Sequence, residues 1–103
     1  PRPSRSPSPR DDGSIDWSKG GWTILIRSSP MKQQADVFVR HYRTLLRDTG
    51  HPVDVFSTLV QEAMEYRVGV GLFDTEEGAR EALASLAAQL PEDAQVVRVP
   101  PAP

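Results

Sequence analysis

Twice in this chain an aromatic-led run of strand formers gives way, after a short turn, to an amphipathic helical stripe. The first run is WTILIRS, residues 22–28, followed by residues 33–49. The second is YRVGVGLF, residues 66–73, followed by the helix-forming TEEGAREALASL. β-Branched and aromatic content, with Gly20-Gly21 and Ser29-Pro30 as punctuation, makes the first run a strand. Ala35, Phe38, Tyr42 and Leu45 then recur at helical spacing, and Val39 and Leu46 widen the stripe. Gly50 ends this helix and His51-Pro52 prevents its continuation. In the second unit Asp74 or Thr75 caps the helix, and Glu76 and Glu77 suit its positive N-terminal end. Ala79, Ala82, Leu83, Leu86, Ala87 and Leu90 form its apolar face, and Pro91 closes it. PVDVFSTLV, residues 52–60, supplies a strand between the units, with a turn over 61–64. AQVVRV, residues 94–99, supplies the last strand. The order β-α-β-β-α-β is the split βαβ pattern. It predicts an α+β, ferredoxin-like (RNP-like) sandwich: a four-stranded antiparallel sheet with both helices on one face.

At 103 residues the chain is long enough for one domain with a modest core. PRPSRSPSPRDDGS, residues 1–14, lacks apolar periodicity and reads as an extended, disordered linker. Residues 100–103 read as a disordered tail, which leaves 15–99 as the folded unit. The first residue is Pro1 rather than Met, as expected of a piece of a longer protein. There is no cysteine, so disulfides, thiolate metal sites and a cysteine nucleophile are all excluded. No apolar run reaches the length of a membrane span and no signal-peptide pattern is present, so no membrane contact is expected from this stretch. The net charge of −2 divides into +1 over residues 1–21 and −3 over the remainder. A domain that grips a phosphate backbone is usually basic, so this balance counts against nucleic acid.

A sheet with both helices on one side leaves its other face open. Side chains alternate across a strand. Trp22, Ile24 and Ile26, with Val68 and Val70, are expected against the helices. Thr23, Leu25 and Arg27 then share the open face with Arg67, Gly69 and Gly71. Glycine in a strand interior packs nothing and costs backbone entropy. Two readings of the pair stand side by side. The glycines keep the face low so that a chain-like ligand lies against backbone, or they relieve crowding and permit a bulge.

Tyr66, Arg67, Val68, Val70, Gly71, Phe73, Ala79 and Leu86 resemble the second half of a SPOR (sporulation-related repeat) domain, and the resemblance extends over roughly residues 22–99. The resemblance implies noncatalytic binding of bacterial peptidoglycan glycan strands, notably strands stripped of their stem peptides. It also implies a place in the cell envelope or periplasm, where such a domain targets a parent envelope or cell-division protein. On that reading Arg27 and Arg67 pair with lactyl carboxylates. Thr23 and Ser28 hydrogen-bond sugar, and Gly69 and Gly71 permit close approach. The first strand departs from the family: Leu25 stands where the family has a ligand-facing Gln, Arg27 where it has Gly, and Ser29 where it has Phe. Leu72 replaces the Pro of the second motif. An apolar Leu25 on an open face equally suits a protein partner or self-association, which is the alternative reading.

Other chemistry fits less well. A dinucleotide fingerprint would need its third glycine at position 74, which is Asp74. An RNA-recognition module shares the fold but stacks bases on aromatics of the exposed face. Phe56 and Phe73 are the available rings, and such residues are more often core. His41 and His51 lack ligand-spaced partners, so no metal or other cofactor is expected. Ser28, Ser29 and His51 do not by themselves make a triad, and no enzyme is expected. Arg40, Arg43 and Arg47 read as a solvated helix face.

Overall fold

The computed structural model describes residues 15–101. The linker expected over 1–14 and the last two residues of the tail lie outside the described residues. Six main elements follow in the expected order: β1 (Gly21–Ser29), α1 (Lys32–Leu45), β2 (Val53–Val60), β3 (Ala63–Phe73), α2 (Glu76–Leu86) and β4 (Gln95–Val99). The strands form one antiparallel sheet in the order β2-β3-β1-β4. The fold is α+β with the ferredoxin-like arrangement.

Each helix starts where local chemistry allows it. Ser29 Oγ accepts from Met31 N at 3.0 Å and donates to Gln34 Oε1 at 2.8 Å, so a buried hydroxyl organises the entry to α1. Thr75 caps α2 by accepting from Gly78 N at 3.0 Å. α1 ends earlier than its apolar stripe suggests. After Leu45 the chain tightens into a 3₁₀ turn, Arg47–Thr49, and Gly50 at φ +79° completes the stop. That turn carries Leu46 into the core, fully buried, and leaves Leu45 exposed.

The core lies between the helices and one sheet face. Ile24, Ile26, Val53, Val68 and Val70 meet Ala35, Val39, Tyr42, Leu46, Ala82 and Leu86 there. Phe73 packs against the same cluster, as expected of it.

Two irregularities interrupt the β1–β3 ladder. Trp22 and Ile24 oppose Phe73 and Val70, so β3 carries one extra residue. Gly71 lies in that bulge at φ +70°, and a Cβ there would come within 2.7 Å of the Phe73 ring. Leu25 and Arg27 oppose Gly69 and Val68, so here the extra residue is on β1. β2 and β3 form a regular hairpin closed by Gln61-Glu62, both at positive φ (52° and 70°). The turn is two residues long, and β3 begins at Ala63 rather than Tyr66. Pairing with β1 stops at Tyr66, so Thr58–Val60 and Ala63–Glu65 project past β1 as a two-stranded ribbon.

Candidate functional site

The face opposite the helices is not bare. Residues 15–20 cross it as a strap. Ile15 N donates to Asp54 Oδ2 at 2.8 Å, and Asp16 caps a 3₁₀ turn, Trp17–Lys19. The Trp17 indole stacks at a tilt on Phe56, with ring centroids 4.7 Å apart, and Nε1 donates to Val55 O at 3.1 Å. Beneath it is Gly69. A Cβ at that position would lie 3.0 Å from Trp17 Cη2 and 2.6 Å from Thr23 Oγ1. Gly69 is therefore a seat for a side chain of the same protein. Gly20 and Gly21, at φ +71° and +139°, turn the strap into β1. Pro101 lies so close to Gly20 that a Cβ there would meet its nitrogen at 2.6 Å.

This arrangement redistributes the residues expected on the open face. Thr23 is fully buried, and its hydroxyl donates to Gly71 O at 2.6 Å, so it does not present a group to a sugar. Gly71 is buried in the bulge and Gly69 lies under the indole, so neither offers bare backbone to a ligand. Arg27 is on the other side of the sheet. The extra residue in β1 sets it opposite Val68, whose side chain is in the core, and its guanidinium lies 5.9 Å from the ring centroid of Phe38 on α1. Arg27 and Arg67 thus point to opposite faces. Arg67 stays on the strapped face, opposite Ser28 and Phe56, with its Nε on Glu65 Oε1 at 2.7 Å. Leu25 does face outward, half-buried between Gly69 on one side and Gln95 on the other. Phe56, expected in the core, is instead a half-buried member of the strapped face.

Beyond the strap's reach there is a cleft. β4 begins at Gln95, opposite Leu25, so the last residues of β1 have no strand partner on that side. The gap is a cavity of about 270 Å³ lined by Leu25, Ile26, Arg27, Ser28, Asp93 and Gln95. It gathers a guanidinium, a carboxylate, an amide and a hydroxyl around one apolar side chain. Arg27 Nη1 lies 3.6 Å from Asp93 Oδ1, with Asp93 79% exposed, so the pair is loose and wet. Such a pair contributes little to stability and can be exchanged for a ligand's charge. The sheet edge thus brings Leu25, Arg27 and Ser28 together, while Arg67, Gly69 and Gly71 lie outside the cleft.

Asp93, Gln95 and Trp17 are absent from the sequence-based set. The polar start of AQVVRV was a usable signal for Gln95. Nothing local marks Trp17, because its partners Val55, Phe56 and Gly69 are all distant along the chain. Compared with known proteins, the chain matches no family model, no curated protein and no solved structure.

Proposed function

We propose that this chain is a noncatalytic glycan-binding domain that holds bacterial peptidoglycan strands, preferentially those denuded of stem peptides, at the unstrapped end of its sheet. The observation that carries the reading is the cleft beside β4. A sugar chain presents hydroxyls, acetamido groups and, in denuded muramic acid, free carboxylates. Asp93 and Ser28 accept from hydroxyls, and Gln95 both donates and accepts. Arg27 takes a carboxylate in place of Asp93. Leu25 gives an apolar surface to a sugar ring or an acetamido methyl. The resemblance of residues 66–86 to the SPOR repeat supports the same ligand, and with it a role in targeting a parent protein to the bacterial cell envelope.

Cosedimentation tests this. The chain is mixed with intact sacculi, with amidase-treated sacculi and with a generic RNA. Enrichment on amidase-treated wall, weakened by Arg27→Ala and by Gln95→Ala, is the expected outcome. Failure to pellet with either wall sample sinks the reading, and salt-sensitive retention of RNA replaces it with nucleic-acid binding.

A further inference from the structure

The outer edge of β2 is closed along half its length and open along the rest. Gly71 N donates to Pro52 O at 2.8 Å, which turns residue 52 toward β3. By strand alternation the backbone groups of Val53, Val55, Ser57 and Leu59 then point away from the sheet. Side chains occupy the first of these. Arg43 Nε donates to Val53 O at 2.8 Å, Asp54 Oδ1 accepts from Val55 N at 2.8 Å, and Trp17 Nε1 takes Val55 O. Among the described residues nothing caps Ser57 or Leu59. Leu59 is 68% exposed, the most exposed large apolar side chain described, and stands opposite the exposed Met64. Edges are normally blunted by charge, proline or a bulge. Phe56 to Val60 has none of these, and its last three residues, Thr58–Val60, belong to the ribbon that β1 does not support. The ribbon is closed by a turn with positive φ at two non-glycine residues, a conformation that side chains disfavour.

We infer that the open half of β2 pairs with the same segment of a second copy of this chain, antiparallel about a twofold axis through Thr58. The occupant follows from the shape of the free window. It is bounded by the caps on Val55 at one end and by the Gln61-Glu62 turn at the other. Centred on Thr58, Ser57 of one copy meets Leu59 of the other, and each pair exchanges N–H and C=O in both directions. The window contains no charge, so identical strands meet without repulsion. Leu59 falls beside the small Ser57 of the other copy, where it has room to pack. A longer foreign strand would need the groups of Val55, which are taken. The product is an isologous dimer with a continuous eight-stranded sheet. It does not involve Leu25, and it stands or falls independently of the glycan reading.

The absence of native cysteine makes a direct test available. In this register Thr58 opposes itself in a non-hydrogen-bonded pair, with Cβ atoms about 4.5–5.5 Å apart. Thr58→Cys should oxidise to a disulfide-linked dimer, and Ser85→Cys, exposed on α2, should not. Sedimentation velocity of the unmodified chain should show a concentration-dependent dimer, lost in Leu59→Lys. It should also be lost in Ser57→Pro, whose missing N–H points away from β3 and leaves the hairpin ladder intact. Circular dichroism and thermal melting confirm that both variants fold. Cross-linking of Thr58→Cys no greater than that of Ser85→Cys overturns the inference. So does a dimer that survives both Ser57→Pro and Leu59→Lys.

Discussion

Trp17 lies over Gly69 so closely that a Cβ on the glycine would meet the indole at 3.0 Å. The glycine that seemed to clear ground for a ligand clears it for the protein's own N-terminal strap. Gly69→Ala should therefore displace the indole or Thr23, at a cost of about 1–3 kcal/mol. Urea titration measures the loss, and a red shift in tryptophan emission would report that Trp17 has left its seat. A stability unchanged from wild type would show that the strap is not packed as described.

Gly50 and Gly71 share nearly the same φ, +79° and +70°, but not the same surroundings. A Cβ at Gly50 meets nothing within 4 Å, while one at Gly71 meets the Phe73 ring at 2.7 Å. Gly50→Ala should cost only the left-handed penalty, about 1–2 kcal/mol. Gly71→Ala should cost more, because the bulge has to reshape as well. Thermal denaturation of the two variants under one set of conditions checks the order.

Arg43 differs from Arg40 on the same helix and from Arg47 in the 3₁₀ turn that follows it. It is half-buried and joins α1 to the edge strand through Val53 O and through Asp54 at 3.4 Å. Arg43→Leu should cost about 1–2 kcal/mol through the Val53 carbonyl left without its donor and the loss of the ion pair to Asp54. Arg40→Ala and Arg47→Ala, both at exposed positions, should stay within about 0.5 kcal/mol of wild type. Equal effects for all three would return Arg43 to the solvated face expected of it.

Thr23 and Arg27 should separate stability from binding. Thr23→Val keeps the shape but removes the donor to Gly71 O, at a cost of about 1–2 kcal/mol. Retention on amidase-treated sacculi should be unaffected at temperatures where the variant is folded. Arg27→Ala should do the reverse, since its partner Asp93 is mostly exposed. Loss of wall binding in Thr23→Val with Arg27→Ala unaffected would place the ligand under the strap and not in the cleft.

The element order was legible because periodicity is a local property. The alternation of Ile24, Ile26, Val68 and Val70 marks the core face, and the Ala79–Ala82–Leu86 stripe marks the buried side of α2. What failed was parity. Strict alternation carries Arg27 to the open face. One extra residue in β1 carries it to the helices, and neither Ile26 nor Arg27 announces a bulge. The strap was hidden for a different reason. Trp17 precedes a Gly-Gly pair and has no periodic companions, so its role exists only in the folded chain. At Gly71 the bulge reading is the one the backbone follows, and at Gly69 the flat surface is present but occupied.

The two bulges have a joint consequence for how the length of this sheet can vary. β1 and β3 each carry one surplus residue, and the offsets cancel: Trp22 opposite Phe73 and Arg27 opposite Val68 keep a common register, although the pairs between them are displaced by one. Losing either surplus residue alone would leave the ends of the ladder out of step and turn one of them over. Losing both together would restore agreement. In this part of the chain, insertions and deletions in β1 and β3 are tolerated only as a matched pair, and that coupling should appear wherever related chains differ in strand length.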